Sequence, residues 1–407
     1  MTKGTNSDLT VSGIDAYEVT LPIEAPIRHS YGVHEAFTRT IIEIHTLGGL
    51  TGLGETAASA EEVRTLGTEA IGLNAYDLGV LRMRISQRFY WSSNALVAAG
   101  LEMGFIDLQA KAAGVPAYQI LGGALRAHIN MAAYCFFRYP TEASPAVDTP
   151  ETMAAHAVDL AGRYGYRTIK LKGGVLEPEV EVETLREVRK KLPDAHLRFD
   201  PNAAWTPMTA IRYASAFEDI GLEYYEDPSP GHGGMARVRS RTRLPLATNM
   251  VVTDFDDIPA ALAQDSVDVV LSDPWYWGGP TRTQALGQIC HTMGLGLGMH
   301  SGIELGIGMA VMAHTGVTIP NLTLAVDAHY HHLTDDVIVG PRLLPQGDGR
   351  VSPPSGPGWG VELDRGKVQT YRELRSSGQY ANLYVEGTSG HGPDSRRPGW
   401  RPSMPQW

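Results

Sequence analysis

The chain has few cysteines, no long apolar run and an excess of negative charge, and each property excludes a class of protein. Its 407 residues contain only two cysteines, Cys135 and Cys290, which argues against a disulfide framework. No basic leader precedes an apolar segment at the start, and no run approaches the roughly 18 apolar residues that span a bilayer. The formal net charge of −11 disfavours nucleic-acid and anionic-membrane partners. We therefore expect a cytoplasmic protein that has neither kind of partner.

The sequence pattern changes twice along the chain and divides it into three predicted parts. In the first third, strand-like segments are followed by apolar residues at helical spacing. From residue 129, strand-like and helical segments alternate strictly, which predicts parallel strands joined by right-handed crossovers. We predict an α/β fold, with a parallel β/α barrel at 129–340 and an α+β domain at 1–128 in which two strands flank a mobile loop at residues 24–37. The last part, 341–407, is rich in glycine and proline and is predicted to return and pack on the first domain.

Six polar residues each close or follow one strand-like run in the middle of the chain. They are Lys172, Asp200, Glu226, Asn249, Asp273 and His300. Successive members are 23 to 28 residues apart, which is the length of one strand, one helix and two short loops. Because the chemistry of a β/α barrel gathers at the C-terminal ends of its strands, we expect the six side chains to meet at one mouth of the barrel.

Three of the six, Asp200, Glu226 and Asn249, are oxygen donors on consecutive predicted strand ends. Two carboxylates and one amide suit Mg²⁺, a hard cation that keeps positions open for substrate oxygens. Each residue alone is better explained as a turn residue or a helix N-cap, since Asp-Pro and Glu-Asp-Pro favour turns. Their common periodicity with a lysine pair and a later histidine favours a metal site instead.

The lysine pair and the histidine are candidate acids and bases. Lys170 and Lys172 are two residues apart on one predicted strand, so their side chains share a face. Burial and mutual repulsion would lower a lysine pKa toward the range of a base near neutral pH, whereas the alternative is a solvated pair on an edge strand. His300 can pair with Asp273, which would fix its tautomer and leave the other ring nitrogen as an acid or base. The alternative there is a core histidine bonded to a backbone carbonyl.

Together these groups are typical of a reaction that removes a proton next to a carboxylate. A metal ion would bind the carboxylate oxygens and stabilise the developing charge. Lys172 and His300 would face the reacting carbon from opposite sides. Either can serve as the base, and the other can protonate the opposite face or assist a departing hydroxyl group.

Five short motifs resemble those of the enolase superfamily, and more narrowly those of the glucarate dehydratase group. They are KLKGG from residue 170, FDPNAAW from 199, EDP from 226, ATNM from 247 and HS from 300. The resemblance covers nearly the whole chain, and an asparagine at the third metal position is typical of that group. It implies a modified TIM-type (β/α)7β barrel with an α+β capping domain that carries a mobile substrate loop. It also implies Mg²⁺ held by Asp200, Glu226 and Asn249, a base at Lys172 assisted by Lys170, a dyad of His300 and Asp273, and Asn202 beside the forming enediolate or the departing hydroxyl.

The resemblance also implies a set of substrate contacts. They are His34 on the mobile loop, Tyr134, Phe136, Ser301, His329 and, for the far carboxylate of the substrate, Arg401. Gly302 departs from the group, which carries a substrate-contacting asparagine at this position. Because sites built to pair with polar groups of a substrate reject analogues that lack them, this departure bears on specificity.

The function that the resemblance implies is a Mg²⁺-dependent acid-sugar dehydratase, a hydro-lyase of carbohydrate catabolism. It would remove the proton next to a carboxylate, expel the neighbouring hydroxyl group and yield a 2-keto-3-deoxy acid. D-glucarate or a related aldarate is the leading substrate. A racemase or epimerase of a hydroxy acid would use the same lysine and histidine, and a non-catalytic homologue that binds a metal or ligand is the third alternative. The resemblance also implies a homo-oligomer.

Overall fold

The computed structural model describes residues 8–88, 94–380 and 405–407. It begins with a three-stranded antiparallel sheet in the order β1-β2-β3, followed by helices. The strands are β1 (Val11–His29), β2 (Gly32–Thr46) and β3 (Thr51–Thr56), and the helices are α1 (Ala60–Gly67), α2 (Leu78–Arg88), α3 (Ala95–Ala113) and α4 (Ala117–Ile120). An apolar core lies between this sheet and helices α1 to α3.

Strands β1 and β2 form one long hairpin with its turn at Ser30 and Tyr31. The sequence predicts a mobile loop over residues 24–37, and that prediction is wrong, because β1 continues to His29 and β2 begins at Gly32. The pairing has a register shift between Pro22 and Ile27. Such an irregularity lets a strand contain prolines, which cannot donate to the hydrogen-bond ladder. The hairpin places His34, opposite Ile27, close to its tip.

Helix α3 packs closely on β3 because glycines face each other across the contact. A Cβ atom on Gly54 would overlap the carbonyl oxygen of Gly100, and one on Gly52 would overlap that of Gly104. No larger residue fits at these positions without moving the backbone. The close approach fixes the end of β3, where Glu55 lies, against the rest of the molecule.

A short strand, β4 (Ile129–Asn130), leads into a parallel barrel whose strands pair in chain order. These strands are β5 (Ala132–Phe136), β6 (Thr168–Lys172), β7 (His196–Asp200), β8 (Leu222–Glu226), β9 (Leu246–Thr248), β10 (Val269–Ser272) and β11 (Gly296–Met299). The helices that follow them are α5 (Pro150–Tyr164), α6 (Pro178–Lys191), α7 (Pro207–Ile220), α8 (Gly231–Arg239), α9 (Ile258–Gln264), α10 (Pro280–Met293) and α11 (Gly306–Gly316).

An irregular segment closes this barrel as its eighth strand. Parallel bridges join Leu322 to Leu297 of β11 and Val326 to Met131, the residue before β5. The segment therefore lies between the first and last strands of the sheet. This arrangement confirms the predicted (β/α)7β barrel.

After the barrel the chain returns toward the first sheet. Strand β12 (Arg350–Val351) pairs with β4, and helix α12 (Arg365–Ser376) packs on β1. The Arg365 guanidinium donates two hydrogen bonds of 2.6 Å to the Glu43 carboxylate of β2. The division of the chain into domains at 1–128, 129–340 and 341–407 stays a prediction.

The ends of the barrel helices follow common capping rules. Helix α5 is capped by the Thr149 hydroxyl, has proline at its first position and ends at Gly165, whose φ is 76°.

Both cysteines are buried free thiols. Among the residues given above as described, no helix is both long enough and apolar enough to cross a membrane.

Candidate active site

All six strand-end residues lie at the same end of the barrel. Lys172, Asp200 and Glu226 are the last residues of β6, β7 and β8. Asn249, Asp273 and His300 directly follow β9, β10 and β11. The structure therefore places all six residues at the ends of strands, where the spacing predicts them.

The lysine pair lies among carboxylates in a fully enclosed cluster. Lys172 Nζ is 2.5 Å from Asp200 Oδ2. Lys170 Nζ is 2.6 Å from Glu226 Oε2, 2.9 Å from Asp327 Oδ2 and 3.3 Å from Asp200 Oδ2. All five side chains are buried. The lysines thus neutralise most of the negative charge at the centre of the barrel mouth.

The charges in this cluster shift the pKa values in opposite directions. Burial would lower the pKa of Lys170, but Asp327 and Glu226 raise it well above its usual value, so the sequence-based expectation of a lowered pKa is wrong for Lys170. Burial would raise the pKa of Asp200, but Lys172 and Lys170 hold it below its usual range. Burial and the neighbouring charge of Asp200 raise the pKa of Glu226 well above its usual range. The carboxylates around Lys170 therefore favour its protonated form.

The donor set of the predicted metal site fits a hard divalent cation. The side-chain oxygen Oδ1 of Asn249 is buried and has no hydrogen-bond partner among the described residues. A buried acceptor left without a donor is costly unless a ligand pairs with it. No group of three or more His, Cys, Asp or Glu side chains in the described ranges is arranged to hold a metal. The two carboxylates of Asp200 and Glu226 therefore need the amide oxygen of Asn249 as the third donor of a metal site.

Asp227 positions the third predicted metal ligand, and the sequence reasoning did not single it out. Its carboxylate accepts hydrogen bonds from the Asn249 backbone N–H, at 2.9 Å, and from the Thr248 hydroxyl, at 2.5 Å. Asp227 has a φ of 34°, in the left-handed region that few residues other than glycine adopt. The signal in the sequence was the Glu-Asp-Pro motif, whose second residue we read as part of a turn.

The predicted histidine–aspartate pair is present on the far side of the mouth. His300 Nδ1 is 3.1 Å from Asp273 Oδ2 and 3.3 Å from the carbonyl oxygen of Ser272. The Asp273 Oδ1 atom accepts backbone N–H bonds from Trp275 and Tyr276, at 2.7 and 2.6 Å. Both of the partners that we considered for this histidine, the carboxylate and a backbone carbonyl, are thus within reach. Two backbone donors fix the carboxylate. The hydrogen bond of His300 Nδ1 is to the Ser272 carbonyl oxygen, whereas Asp273 Oδ2 lies at ion-pair distance and has no hydrogen-bond partner among the described residues.

Aromatic residues form the wall between the cap and the barrel. The Tyr134 and Phe136 rings lie 4.7 and 5.1 Å from the ring of His329. His29, at the end of β1, lies 4.7 Å from His34 and 4.9 Å from Phe136. Burial lowers the pKa of His34 to about 3 and the pKa values of His29 and His329 well below the usual range, which keeps all three rings neutral.

His29 lies among the predicted substrate contacts, and the sequence did not single it out. It is almost fully buried, and neither of its ring nitrogens has a hydrogen-bond partner among the described residues. The predicted loop placed it outside any regular element. The motif RHSYGVH contains two histidines, and only His34 was assigned a role.

The loop after β11 is fixed by several contacts. The Ser301 hydroxyl donates to Glu304 at 2.7 Å and accepts from the backbone N–H of His329 at 2.9 Å. The Arg39 guanidinium donates to the carbonyl oxygen of Gly302. A Cβ atom on Gly302 would lie 2.7 Å from Cε3 of Trp275, so this position has no room for a side chain. The asparagine of the glucarate dehydratase group is excluded here by the packing of Trp275.

Asn202 and the end of the chain meet at the loop after β7. Asn202 has a φ of 52° and donates its backbone N–H to Asp200 Oδ1 at 2.8 Å. The Trp407 backbone N–H donates to the carbonyl oxygen of Ala204 at 3.0 Å, and the Gln406 side chain donates to that of Ser30 at 2.7 Å. The chain end thus touches both the barrel loop and the hairpin tip. Arg401, a predicted substrate contact, lies outside the described residues.

Two family models match the chain. Residues 13–122 match the N-terminal domain of mandelate racemase and muconate lactonizing enzyme, and residues 152–367 match the enolase C-terminal domain-like family. The second match alone covers more than half of the chain, and both match in the order that the fold shows. The chain belongs to the enolase superfamily.

Relatives within the enolase superfamily differ in the reactions that they are named for. A probable glucarate dehydratase of Streptomyces coelicolor is 36% identical over 89% of this chain and 90% of its own. Muconate cycloisomerase 1 of Rhodococcus opacus is 26% identical over 90% of this chain and 99% of its own. A hydrophobic dipeptide epimerase of Enterococcus faecalis is 27% identical over 77% of this chain and 88% of its own. Membership therefore indicates an enzyme with a small-molecule substrate and leaves the reaction open.

Solved structures of the superfamily share this fold closely. An enolase from Gibberella zeae, in complex with magnesium, formate and sulfate, has a TM-score of 0.91 and 34% identity and covers 98% of both chains. An enolase from Mycobacterium smegmatis in complex with tartrate has a TM-score of 0.90 and 36% identity and covers 99% of this chain and 100% of its own. Magnesium binding is thus a property of this superfamily.

Proposed function

We propose that the protein is a Mg²⁺-dependent dehydratase of acid sugars that converts D-glucarate or a related aldarate into a 2-keto-3-deoxy acid. The observation that carries the proposal is the buried cluster in which Lys170 and Lys172 contact Asp200 and Glu226 at the barrel mouth. The 36% identity to a probable glucarate dehydratase supports the choice of an acid sugar. The reaction would break a C–H bond next to a carboxylate and the neighbouring C–OH bond.

Asp200, Glu226 and Asn249 are the residues that would hold the metal. The unpaired Oδ1 atom of Asn249 supports this role. When bound, Mg²⁺ would supply positive charge to the substrate carboxylate as the neighbouring carbon loses its proton. Asp227 would keep Asn249 in place through the backbone hydrogen bond described above.

Lys172 is the proposed base. Its ammonium group contacts one carboxylate, whereas that of Lys170 contacts three, so Lys172 is the less tightly held of the two. Lys172 would accept the α-proton of the substrate, and Lys170 would keep its own proton and contribute positive charge beside the substrate carboxylate.

His300 is the proposed acid for the departing hydroxyl group. Its side chain is 12% exposed, whereas the Asp273 side chain is fully buried, so the imidazole is the member of the pair that a substrate can reach. Asp273 would stabilise the protonated imidazole before it donates. Asn202, whose side-chain oxygen lacks a hydrogen-bond partner among the described residues, would accept a hydrogen bond from a substrate hydroxyl.

The aromatic wall is the proposed substrate pocket. His34, Tyr134, Phe136 and His329 would contact the sugar chain, with Ser301 beside them and Arg401 at the far carboxylate. Neutral histidines can donate and accept hydrogen bonds with sugar hydroxyls without adding positive charge.

We further propose a cytoplasmic homo-oligomer, for which gel filtration with light scattering would give the number of subunits.

An epimerase that uses the same site is the second candidate. The 27% identity to a hydrophobic dipeptide epimerase favours it, as does the placement of Lys172 on β6 and His300 after β11, on different sides of the barrel ring. In that reaction one residue would remove the α-proton and the other would return a proton to the opposite face. No hydroxyl group would leave.

Incubation of the purified protein with Mg²⁺ and a panel of aldarates and aldonates tests the proposal. Formation of a 2-keto-3-deoxy acid from any member, detected by NMR, would support the dehydratase and name its substrate. A changed configuration at the α-carbon without keto product would support the epimerase. No change in any member would contradict the acid-sugar assignment and favour a non-catalytic homologue.

A further inference from the structure

A second cleft lies on the outside of the barrel mouth, away from the predicted metal and catalytic residues. It has a volume of about 620 Å³ and lies between β1, the loop after β5 and helix α5. The charged residues that line it are Glu24, Arg138, Asp159 and Arg163, and His156 lies among them. This cleft is a candidate binding site because three nitrogen atoms on two of its buried side chains have no hydrogen-bond partner among the described residues.

Arg138 lines the cleft and carries donor atoms that lack hydrogen-bond partners in the described part of the chain. The residue is 7% exposed, and its Nε and Nη1 atoms have no hydrogen-bond partner among the described residues. Its Nη2 atom has one neighbour, Nδ1 of His156, at 3.5 Å. A guanidinium is always charged and normally pairs with carboxylate or phosphate oxygens when it is buried. Arg138 therefore lacks the acceptor that its burial calls for.

His156 adds a third donor at the same place. Because a guanidinium can only donate, the contact with Arg138 makes Nδ1 of His156 the acceptor and puts the ring proton on Nε2. His156 is also 7% exposed, and Nε2 has no hydrogen-bond partner in the described ranges. Three N–H groups on two buried side chains thus line one cleft without an acceptor.

Glu24 is the nearest carboxylate, and it does not satisfy these donors. Its oxygens lie 3.8 Å from Arg138 Nη1 and 3.9 Å from Arg163 Nη1, beyond hydrogen-bond distance. Arg163 is held separately by an ion pair with Asp159, one helical turn away. The negative charge of Glu24 therefore lies close enough to repel an anion that enters the cleft.

We propose that this cleft binds a small oxyanion, the phosphate or carboxylate group of a low-molecular-weight ligand, through Arg138 and His156. The Nε and Nη1 groups of Arg138 and the Nε2 group of His156 are the charged and neutral donors that would bind the oxygens of the anion. Since Arg138 also bridges to Ile27 of β1 through the backbone, a bound anion joins the loop after β5 to the cap hairpin. The site is independent of the reaction at the barrel mouth.

The test is calorimetric titration of the full-length protein with inorganic phosphate and, separately, with malonate. Wild type is compared with Arg138→Gln, which removes the charge of the buried donor, and with Glu24→Gln, which removes the competing negative charge. Circular dichroism melting of each variant checks folding. Lys190→Met, on the exposed face of α6, is the control for a general loss of positive charge.

The two variants should change affinity in opposite directions. Arg138→Gln should weaken binding by about tenfold or more, and Glu24→Gln should strengthen it by about three- to tenfold, because one attractive or one repulsive charge near the anion is lost. Binding of phosphate alone identifies a phosphate group as the ligand, and binding of malonate identifies a carboxylate. Affinity that neither variant changes, or no binding of either anion to wild type and Glu24→Gln, overturns the proposal. If Arg138→Gln does not fold, the direction of the Glu24→Gln effect decides.

Discussion

The ammonium group of Lys170 lies 2.9 Å from Oδ2 of Asp327, a carboxylate on the segment that closes the barrel. The other oxygen of Asp327 lies 3.0 Å from the Arg198 guanidinium, and all three side chains are buried. One carboxylate thus holds two cations beneath the candidate site. It fixes the position of Lys170 beside Glu226, and it ties β6 and β7 to the closing segment.

The first prediction concerns this carboxylate. Asp327→Asn removes the negative charge and should lower the free energy of unfolding by about 3 kcal/mol, because two buried cations lose a partner. Urea unfolding followed by circular dichroism measures it. Asp335→Asn, which breaks a half-exposed pair with Lys367, is the control and should cost less than about 1 kcal/mol. Equal losses in both variants would show that Asp327 has no special role.

The second prediction concerns the third metal ligand. Asn249→Ala removes the unpaired amide oxygen and should weaken Mg²⁺ binding about ten- to a hundredfold, whereas Asn249→Asp keeps an oxygen donor and should retain binding. Calorimetric titration with Mg²⁺ gives both affinities. Asn321→Ala removes another buried, unpaired amide oxygen, far from the predicted ligands in sequence, and should leave the affinity unchanged. An unaltered affinity in Asn249→Ala would remove this residue from the metal site.

The third prediction concerns the glycine that departs from the glucarate dehydratase group. Gly302→Ala should lower the free energy of unfolding by about 1 to 3 kcal/mol, because its Cβ would lie 2.7 Å from the Trp275 ring. In a Trp275→Phe background the same substitution should cost less, since the smaller ring leaves space. A double-mutant cycle by urea unfolding measures the difference. An identical cost in both backgrounds would mean that Trp275 does not restrict this position.

The fourth prediction is a pH dependence of stability due to Glu55. This fully buried carboxyl group accepts backbone N–H bonds from Leu305 and Gly308, and burial raises its pKa to about 8. Its pKa in the unfolded chain is about 4.3. Between these values the folded protein binds the extra proton, so this contribution to stability is complete below the unfolded pKa and is lost as pH rises toward 8.

Glu55→Gln cannot titrate, so its stability relative to wild type should improve as pH rises from 5 to 8. The improvement should be on the order of 2 kcal/mol, given a limit of about 1.4 kcal/mol per pH unit. Urea unfolding at each pH gives the two curves. Parallel curves for the variant and wild type would contradict the raised pKa.

The sequence was informative wherever a regular period set the geometry. Because each strand, helix and pair of loops uses a similar length of chain, the spacing of Lys172, Asp200 and Glu226 predicted their common position at the barrel mouth. The alternation of strands and helices predicted the barrel for the same reason. Both features depend on local patterns that a single chain displays.

Contacts between distant segments could not be derived in this way. Asp327 lies in an irregular strand without a strand-end signal, and its partners are 129 and 157 residues away along the chain. The extension of β1 and β2 through residues 24–37 was missed because Pro26 and Gly32 indicate a loop when they are read locally. His29 was missed with it, since its burial depends on packing against the barrel.

The central claim is that Lys172 removes the α-proton of an acid-sugar carboxylate. We would follow the α-proton signals of D-glucarate and related aldarates by NMR in D₂O with Mg²⁺, using wild type, Lys172→Met and the exposed control Lys190→Met. The account predicts exchange of one α-proton in wild type and in the control, and a loss of about a hundredfold or more in Lys172→Met. Exchange at the wild-type rate in Lys172→Met would contradict the account.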